Sequence, residues 1–328
     1  MGWKVYVTRQ IPDAGITMLR QACEVVDVNP EDRVLTHEEL LAAVGGRDGV
    51  LCLLTDRIDA EVMDAAKGCK VFANYAVGYD NIDVPAATER GIVITNTPGV
   101  LTEATADLAW ALLFAVTRRV VQGDRYTREG KFKGWGPMLF LGGDITGRTL
   151  GIVGAGRIGQ AVARRSIGFQ MKVLYTDPSP RPELEKDIGA RRMELDELLR
   201  ESDFVSIHCL LNEETRHLMG KRELELMKPT AYLINNARGP IVDEKALVEA
   251  LRQKRIAGAG LDVYEDEPEL APGLAELDNV VLLPHLGSAS IATRTRMATL
   301  AAENLLAVLE GETPPNVVNP EALGPASE

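Results

Sequence analysis

The sequence contains no run of about eighteen consecutive apolar residues, so no segment is suited to a bilayer-crossing helix. Its opening stretch, MGWKVYVTRQ, reads as a strand rather than as a basic region leading into the apolar core of a signal peptide. Both point to a cytoplasmic protein without a membrane partner. Cysteine is scarce. Cys23, Cys52, Cys69 and Cys209 lie far apart in apolar surroundings and form no CxxC pair, which argues for reduced core thiols and against a disulfide framework or a metal site. Positive charge is also short: 36 Lys and Arg face 48 Asp and Glu, for a formal net charge of −12. Such a chain repels phosphate backbones, so nucleic acid is not an expected partner. Histidine occurs only four times. One of the four, His285, ends an apolar strand in VVLLPHLGSAS. A strand-end imidazole alone usually reads as a polar terminus, so its meaning depends on the rest of the chain.

Alternation is what the chain has in quantity. Short β-branched runs at 5–8, 25–28, 50–54, 71–74 and 92–95 are separated by helical spacing at 15–22, 38–44, 60–66 and 84–89. Strands and helices in turn, joined by short loops, predict a parallel sheet covered on both faces. Pro98 and Gly99 punctuate the series, and an apolar helical pattern then predicts one long helix from Thr102 that bridges two lobes. A second alternating series places strands at 150–153, 172–175, 204–208, 231–235, 259–263 and 280–283. Six strands make a complete dinucleotide-binding sheet. The last helical stretch, 289–310, cannot form a domain by itself and is expected to return to the first lobe. The predicted fold class is therefore α/β, with two Rossmann-like, doubly wound parallel-sheet domains nested in sequence around a deep cleft. Residues 1–99 plus 287–328 form one domain and 100–286 the other.

The segment TLGIVGAGRIGQAVARR sets Gly154, Gly156 and Gly159 directly after a strand and at the start of a helix. The first glycine permits a tight turn, the second lets backbone approach a pyrophosphate, and the third lets helix and strand pack closely. Ala155, Arg157 and Ile158 complete the loop, whose N–H groups and helix dipole suit phosphate. An acid ends the next strand: Asp177, followed by Pro178 and Ser179 in MKVLYTDPS. At that distance an acid accepts the ribose hydroxyls of NAD and repels a 2′-phosphate. The expected cofactor is NAD, used as NADH; Arg181 keeps NADP as the alternative.

Ligands of such sheets lie beyond the carboxyl ends of the strands. NNARGPIVDEKAL delivers Arg238 there, LDVYEDEPEL delivers Asp262 and Glu267, and VVLLPHLGSAS delivers His285 and Gly287. Singly, Arg238 reads as a surface or capping arginine, Glu267 as one charge in an acidic run, and His285 as a strand terminus. Together they fit reduction of a keto acid. Arg238 offers a fork to a carboxylate and polarises a carbonyl. His285 donates a proton to the developing alkoxide, and Glu267 favours the charged imidazole and orients it. Gly287 and the serine after it leave room for substrate and nicotinamide.

On YAVGYDNID, TEATADLAWALL, GRTLGIVGAGRIGQAVA, NNARGPIVDEKAL, LDVYEDEP and LPHLGSAS, the chain resembles the D-isomer-specific 2-hydroxyacid dehydrogenases along nearly its whole length, and their glyoxylate and hydroxypyruvate reductase branch in particular. The resemblance implies that Arg238, Glu267 and His285 are catalytic. It implies that Thr105, Asp262 and the backbone at Asn236, Ala237 and Arg238 border the cofactor. It implies that Val77 and Gly78 present backbone N–H groups to the substrate carboxylate. It also implies a homodimer in which Trp135 of the partner subunit reaches the substrate pocket. Asp177 departs from the many reductases of this branch that carry NADP-suited residues there. The implied activity is NAD(P)H-dependent reduction of small 2-oxo acids to D-2-hydroxy acids. Alternatives within the family are a short phosphoglycerate dehydrogenase, since no regulatory domain follows the returning helix, and a formate dehydrogenase, against which Glu267 argues. A non-enzymatic NAD-sensing corepressor is the alternative of another class.

Overall fold

The computed structural model describes residues 2–323. The chain forms two compact units, one from its two ends, up to Leu101 and from Ser288 on, and one from Thr102–Gly287. In the first unit, β1 (Lys4–Val7), β2 (Val25–Val28), β3 (Gly49–Cys52), β4 (Val71–Asn74) and β5 (Val93–Thr95) form a parallel sheet in the order β2-β1-β3-β4-β5. All four residues of β3 and of β4 are buried, as strands covered on both faces must be. The covering helices are α1 (Asp13–Ala22), α2 (His37–Val44), α3 (Ala60–Ala65) and α4 (Val84–Glu89). Their starts follow the side chains available. Thr36 and Glu39 form a capping box on α2, and Asp59 and Asp83 cap α3 and α4.

The C-terminal helix, Ile291–Glu310, lies against α1 in this same unit. A Cβ at Gly15 would stand 2.6 Å from the Ala298 carbonyl oxygen, so only glycine allows that approach. Asparagines fasten the returning chain. Asn304 donates to the Asn96 carbonyl at 3.0 Å, and Asn319 accepts from the Ile94 N–H at 2.7 Å while donating to the Ile92 carbonyl at 2.9 Å.

The second unit opens with α5 (Thr102–Thr117) and α6 (Val120–Arg128). The single long helix expected from the sequence is thus broken. Arg119 sits in the left-handed region, at φ 54°, and the Thr117 carbonyl turns to accept from the Gly143 N–H at 3.1 Å. The apolar period of α5 is used within the unit: Ala106, Ala109, Trp110, Leu112, Leu113 and Val116 are buried. Trp110 donates to the Val162 carbonyl at 3.0 Å and stacks on Phe169, pinning α5 to α7 (Arg157–Arg165).

Its sheet runs β12-β11-β10-β9-β6-β7-β8, all parallel. The strands are β6 (Thr149–Val153), β7 (Lys172–Thr176), β8 (Arg191–Arg192), β9 (Phe204–Ile207), β10 (Tyr232–Asn235), β11 (Gly258–Leu261) and β12 (Val280–Leu282). The seventh strand, β8, was not expected. It is two exposed arginines beside Leu174 and Tyr175, and it carries no apolar signal. Strand order reverses between β6 and β9, which makes the carboxyl ends of those strands the binding edge.

Candidate active site

At the binding edge of the second unit, the three glycines serve different purposes. Gly154 has φ 92°, and a Cβ there would lie 2.4 Å from the Cys209 nitrogen; one on Gly159 would lie 2.1 Å from the Gly154 carbonyl oxygen. Those two are required by packing. Gly156 instead opens outward, with no atom within 4 Å of an added Cβ. It precedes α7 without a side-chain cap, so the helix start offers N–H donors to an anion. Arg157 is exposed beside it, while Ile158 packs into the core. Open backbone at the helix start, with an acid on the neighbouring strand, fits a dinucleotide.

That acid, Asp177, is engaged on both oxygens. Oδ2 accepts from the Ala155 N–H at 2.9 Å, and Oδ1 accepts from the Ser179 N–H and from Arg181, each at 2.9 Å. Arg192 of β8 donates to the carbonyls of Asp177 and Pro178, both at 3.0 Å. Two arginines, Arg181 and Arg192, therefore flank Asp177. Arg192 escaped the sequence reading because the strand that carries it has no apolar pattern.

The same edge assembles Arg238, Asp262, Glu267 and His285. Buried Asn235 folds the end of β10 into a turn, accepting from the Ala237 N–H at 3.1 Å and donating to the Arg238 carbonyl at 2.9 Å. Asn236 donates to the Thr105 carbonyl at 2.8 Å, and Arg238 donates to the Ala237 carbonyl at 2.9 Å. Asp262, wholly buried, accepts from the N–H groups of Leu286 at 2.6 Å and Gly287 at 2.8 Å, while its own carbonyl accepts from the His285 N–H at 2.9 Å. These three bonds hold His285 at φ 54°, a left-handed conformation that costs on the order of 1–3 kcal/mol for a residue with a side chain. Burial raises the Asp262 carboxyl above its usual range, although the Leu286 N–H and the His285 imidazole pull the other way.

His285 Nδ1 lies 3.0 Å from Glu267 Oε2, and Glu267 Oε1 accepts from the Tyr264 N–H at 3.1 Å. Burial pushes the Glu267 carboxyl up. The hydrogen bond and charge of His285, the Tyr264 N–H and the charge of Arg238 outweigh it and hold the group below the usual carboxylate range. The stabilisation from this depressed group is complete above its unfolded value and is lost as pH falls through the folded one. With Nδ1 engaged by a carboxylate, Nε2 is the nitrogen that can deliver a proton.

A second histidine, His208, also stands at a strand end. His208, after β9, lies 2.8 Å from the Ser206 hydroxyl, and burial pushes its imidazole down to about 3.

Val77 and Gly78 lie in the first unit, just after β4. Three successive carbonyls there are taken from within the unit. Ala76 accepts from the Thr97 N–H at 2.8 Å, Val77 from the Asn96 amide at 2.8 Å, and Gly78 from the Asn74 amide at 2.9 Å. In a trans peptide the next N–H points opposite to the carbonyl. The N–H groups of Val77, Gly78 and Tyr79 are thus aimed away from those partners, as an anion site requires. Asn74 and Asn96 were not singled out from the sequence. Their signal was a polar amide closing each of two buried strands.

Trp135 is 86% exposed in a loop without regular structure, near Phe132, Met138, Leu139 and Leu141, and Val120 and Val121 on α6 are exposed as well. The exposed apolar side chains of this region therefore lie on α6 and this loop, while the apolar face of α5 is buried.

Residues 110–287 match the model of the D-isomer specific 2-hydroxyacid dehydrogenase NAD binding domain. Over 324 residues the chain is 54% identical to a glyoxylate reductase of Thermococcus onnurineus, covering 98% of this chain and 97% of that one. It is 51% identical to a glyoxylate reductase of Pyrococcus furiosus, covering 98% and 96%. Among solved structures, a Thermus thermophilus protein superposes with a TM-score of 0.90 at 51% identity, over 96% of this chain and 99% of that one. An NADPH-dependent glyoxylate/hydroxypyruvate reductase of Sinorhizobium meliloti, in complex with NADP and malonate, does so with a TM-score of 0.86 at 32% identity, over 100% of both.

Proposed function

Since the chain belongs to the D-isomer specific 2-hydroxyacid dehydrogenase family, we propose that it reduces glyoxylate and hydroxypyruvate with NADH. It is an NAD(P)-dependent oxidoreductase of small 2-oxo acids. The observation that carries the reading is the 3.0 Å pair of His285 and Glu267, set beside Arg238 on the edge that also holds the glycine loop. A bound nicotinamide supplies the hydride. Gly154, Ala155, Gly156, Arg157, Ile158 and Gly159 would hold the pyrophosphate of the bound dinucleotide, and Asp177, Pro178 and Ser179 would line its ribose. Thr105, Asn236, Ala237, Asp262 and Gly287 border its reactive end. Arg238 grips the substrate through its guanidinium fork and polarises the carbonyl. His285 is the residue that would give a proton to the oxygen of the carbonyl being reduced. Val77 and Gly78 donate N–H groups to the substrate carboxylate. The enzyme works in the cytoplasm. Following NADH and NADPH oxidation over glyoxylate, hydroxypyruvate, pyruvate and longer 2-oxo acids tests this. The first two should be reduced fastest, and no turnover on any of them would overturn the proposal.

NADH is the preferred cofactor because the Asp177 carboxylate stands where a 2′-phosphate would come. Arg181 is held by that same carboxylate, so Asp177→Ser removes the negative charge and releases a cation together. The NADPH to NADH ratio of kcat/KM should rise by about tenfold or more, the worth of one charge-assisted hydrogen bond. A ratio that already favours NADPH in the unaltered enzyme would assign the ribose site to Arg181 and Arg192.

Exposed apolar surface on α6 and the Trp135 loop is of the kind that marks an interface. A two-fold pairing buries such a patch on both copies at once. The protein is therefore a homodimer, and the partner subunit's Trp135 narrows the substrate pocket. Light scattering should return a dimer. Trp135→Ala should raise KM for glyoxylate while NADH affinity stays constant. A stable, fully active monomer would overturn both statements.

A further inference from the structure

Glu267 sits in a loop, 265–271, that contains neither helix nor strand, yet its carboxylate must hold a 3.0 Å contact with His285. The Tyr264 N–H holds one of its oxygens at 3.1 Å, and the backbone of the loop itself needs a further hold. Glu244, in the first turn of α8 (Glu244–Arg252), is 5% exposed and points both carboxylate oxygens at the loop's backbone. Oε2 accepts from the Glu265 N–H at 2.8 Å, and Oε1 accepts from the Ala271 N–H at 3.0 Å. The contact is reciprocal, because the Glu244 N–H donates to Glu265 Oε2 at 3.3 Å. The other Glu265 oxygen lies 2.6 Å from His217 Nε2. One buried side chain thus clamps both ends of the loop, and Glu267 lies between them. The segment NNARGPIVDEKAL that delivers Arg238 also delivers Glu244, so the clamp ties the arginine's segment to the glutamate's loop.

We propose that Glu244 is a positioning residue, whose two backbone contacts hold Glu267 against His285. This rests on the reading of Glu267 and His285 as the proton-transfer pair. A carboxylate suits the task because it accepts two N–H donors and offers none. Glutamine at 244 would turn an NH₂ toward one of them and leave a buried N–H unmet, a loss that weakens the loop's hold. Once Glu267 is loosely held, the imidazole loses its anionic partner for part of the time, and reduction should fail at lower pH than before.

The test compares Glu244→Gln and Glu267→Gln with the unaltered enzyme, measuring kcat, both KM values and the pH profile of reduction, with thermal melts to confirm folding. Glu244→Gln should lower kcat about tenfold, leave KM for NADH unchanged, and move the alkaline limb of the profile to lower pH, as Glu267→Gln does. Hydrogen exchange at the Glu265 and Ala271 amides should quicken in the same variant. If Glu267→Gln moves the limb and Glu244→Gln does not, the clamp is refuted and the acid–base pair stands. If Glu267→Gln leaves the limb in place, the pair itself is refuted, and the role of Glu244 with it. Should Glu244→Gln fold poorly, Glu244→Asp keeps the charge on a shorter arm that reaches one N–H instead of two. It should give a smaller shift in the same direction, and an unshifted limb in that variant also refutes the clamp.

Discussion

Replacing His285 by glutamine should lower kcat for reduction of glyoxylate by at least about 100-fold, the usual contribution of a positioned general acid. The side chain of glutamine is of similar reach and can still donate to Glu267, so the change removes acidity more than shape. NADH binding, followed by fluorescence titration, should be nearly unaltered, because the glycine loop and Asp177 are held by contacts in which His285 takes no part. The left-handed backbone at 285 is held by the Asp262 carbonyl and carboxylate through main-chain N–H groups, and these remain whatever the side chain. A defect should therefore appear in the chemical step and not in folding. Activity within a few-fold of the unaltered enzyme would remove His285 from the proton-transfer role.

Much of this site was legible because strand ends are legible. Residues 231–235, 259–263 and 280–283 read as strands from their apolar runs, and chemistry placed at their ends belongs at one edge whatever the loops do. That Arg238, Glu267, His285 and the glycine loop share one edge follows from the strand ends together with the glycine motif. Features set by backbone angles or by distant contacts were not legible. No residue type announces φ 54° at Arg119, and Val120 and Val121 carry the apolar residues past the break. The strand Arg191–Arg192 is charged and two residues long, so Arg192 beside Asp177 was out of reach. Glu244 looked like an ordinary acid in a helix's first turn, favourable to the dipole and nothing more. Its two bonds to residues 265 and 271 exist only once the fold brings that loop over α8. Asn74 and Asn96 likewise gain meaning only when β4 and β5 lie side by side.

The second large effect should come from a methyl group. Gly239 follows Arg238 and is buried, and its φ lies outside the left-handed region, so its backbone angles do not demand glycine. Its surroundings do. A Cβ at this position would stand 1.7 Å from the Tyr264 carbonyl oxygen, 1.9 Å from the Tyr264 carbonyl carbon and 2.5 Å from the Glu265 nitrogen. All three are backbone atoms, with no flexible side chain to swing aside. Gly239→Ala must therefore drive the turn that carries Arg238 away from the segment that leads into Glu267, by a distance on the order of 1 Å. The two groups touched by that displacement are the Arg238 guanidinium and the carboxylate partner of His285. A misplacement of about 1 Å costs roughly 100-fold in rate, and here both sides of the contact move, so kcat/KM should fall by at least that much. Overpacking of a filled core costs typically about 1–3 kcal/mol, so the melting temperature should drop by several degrees. NADH binding should survive better than turnover, because Gly154 and Gly156, between β6 and α7, and Gly159, within α7, lie apart from this contact. An alanine variant with unchanged melting and near-normal kcat/KM would mean that the Arg238 turn and the 264–265 backbone are not pressed together in the working enzyme.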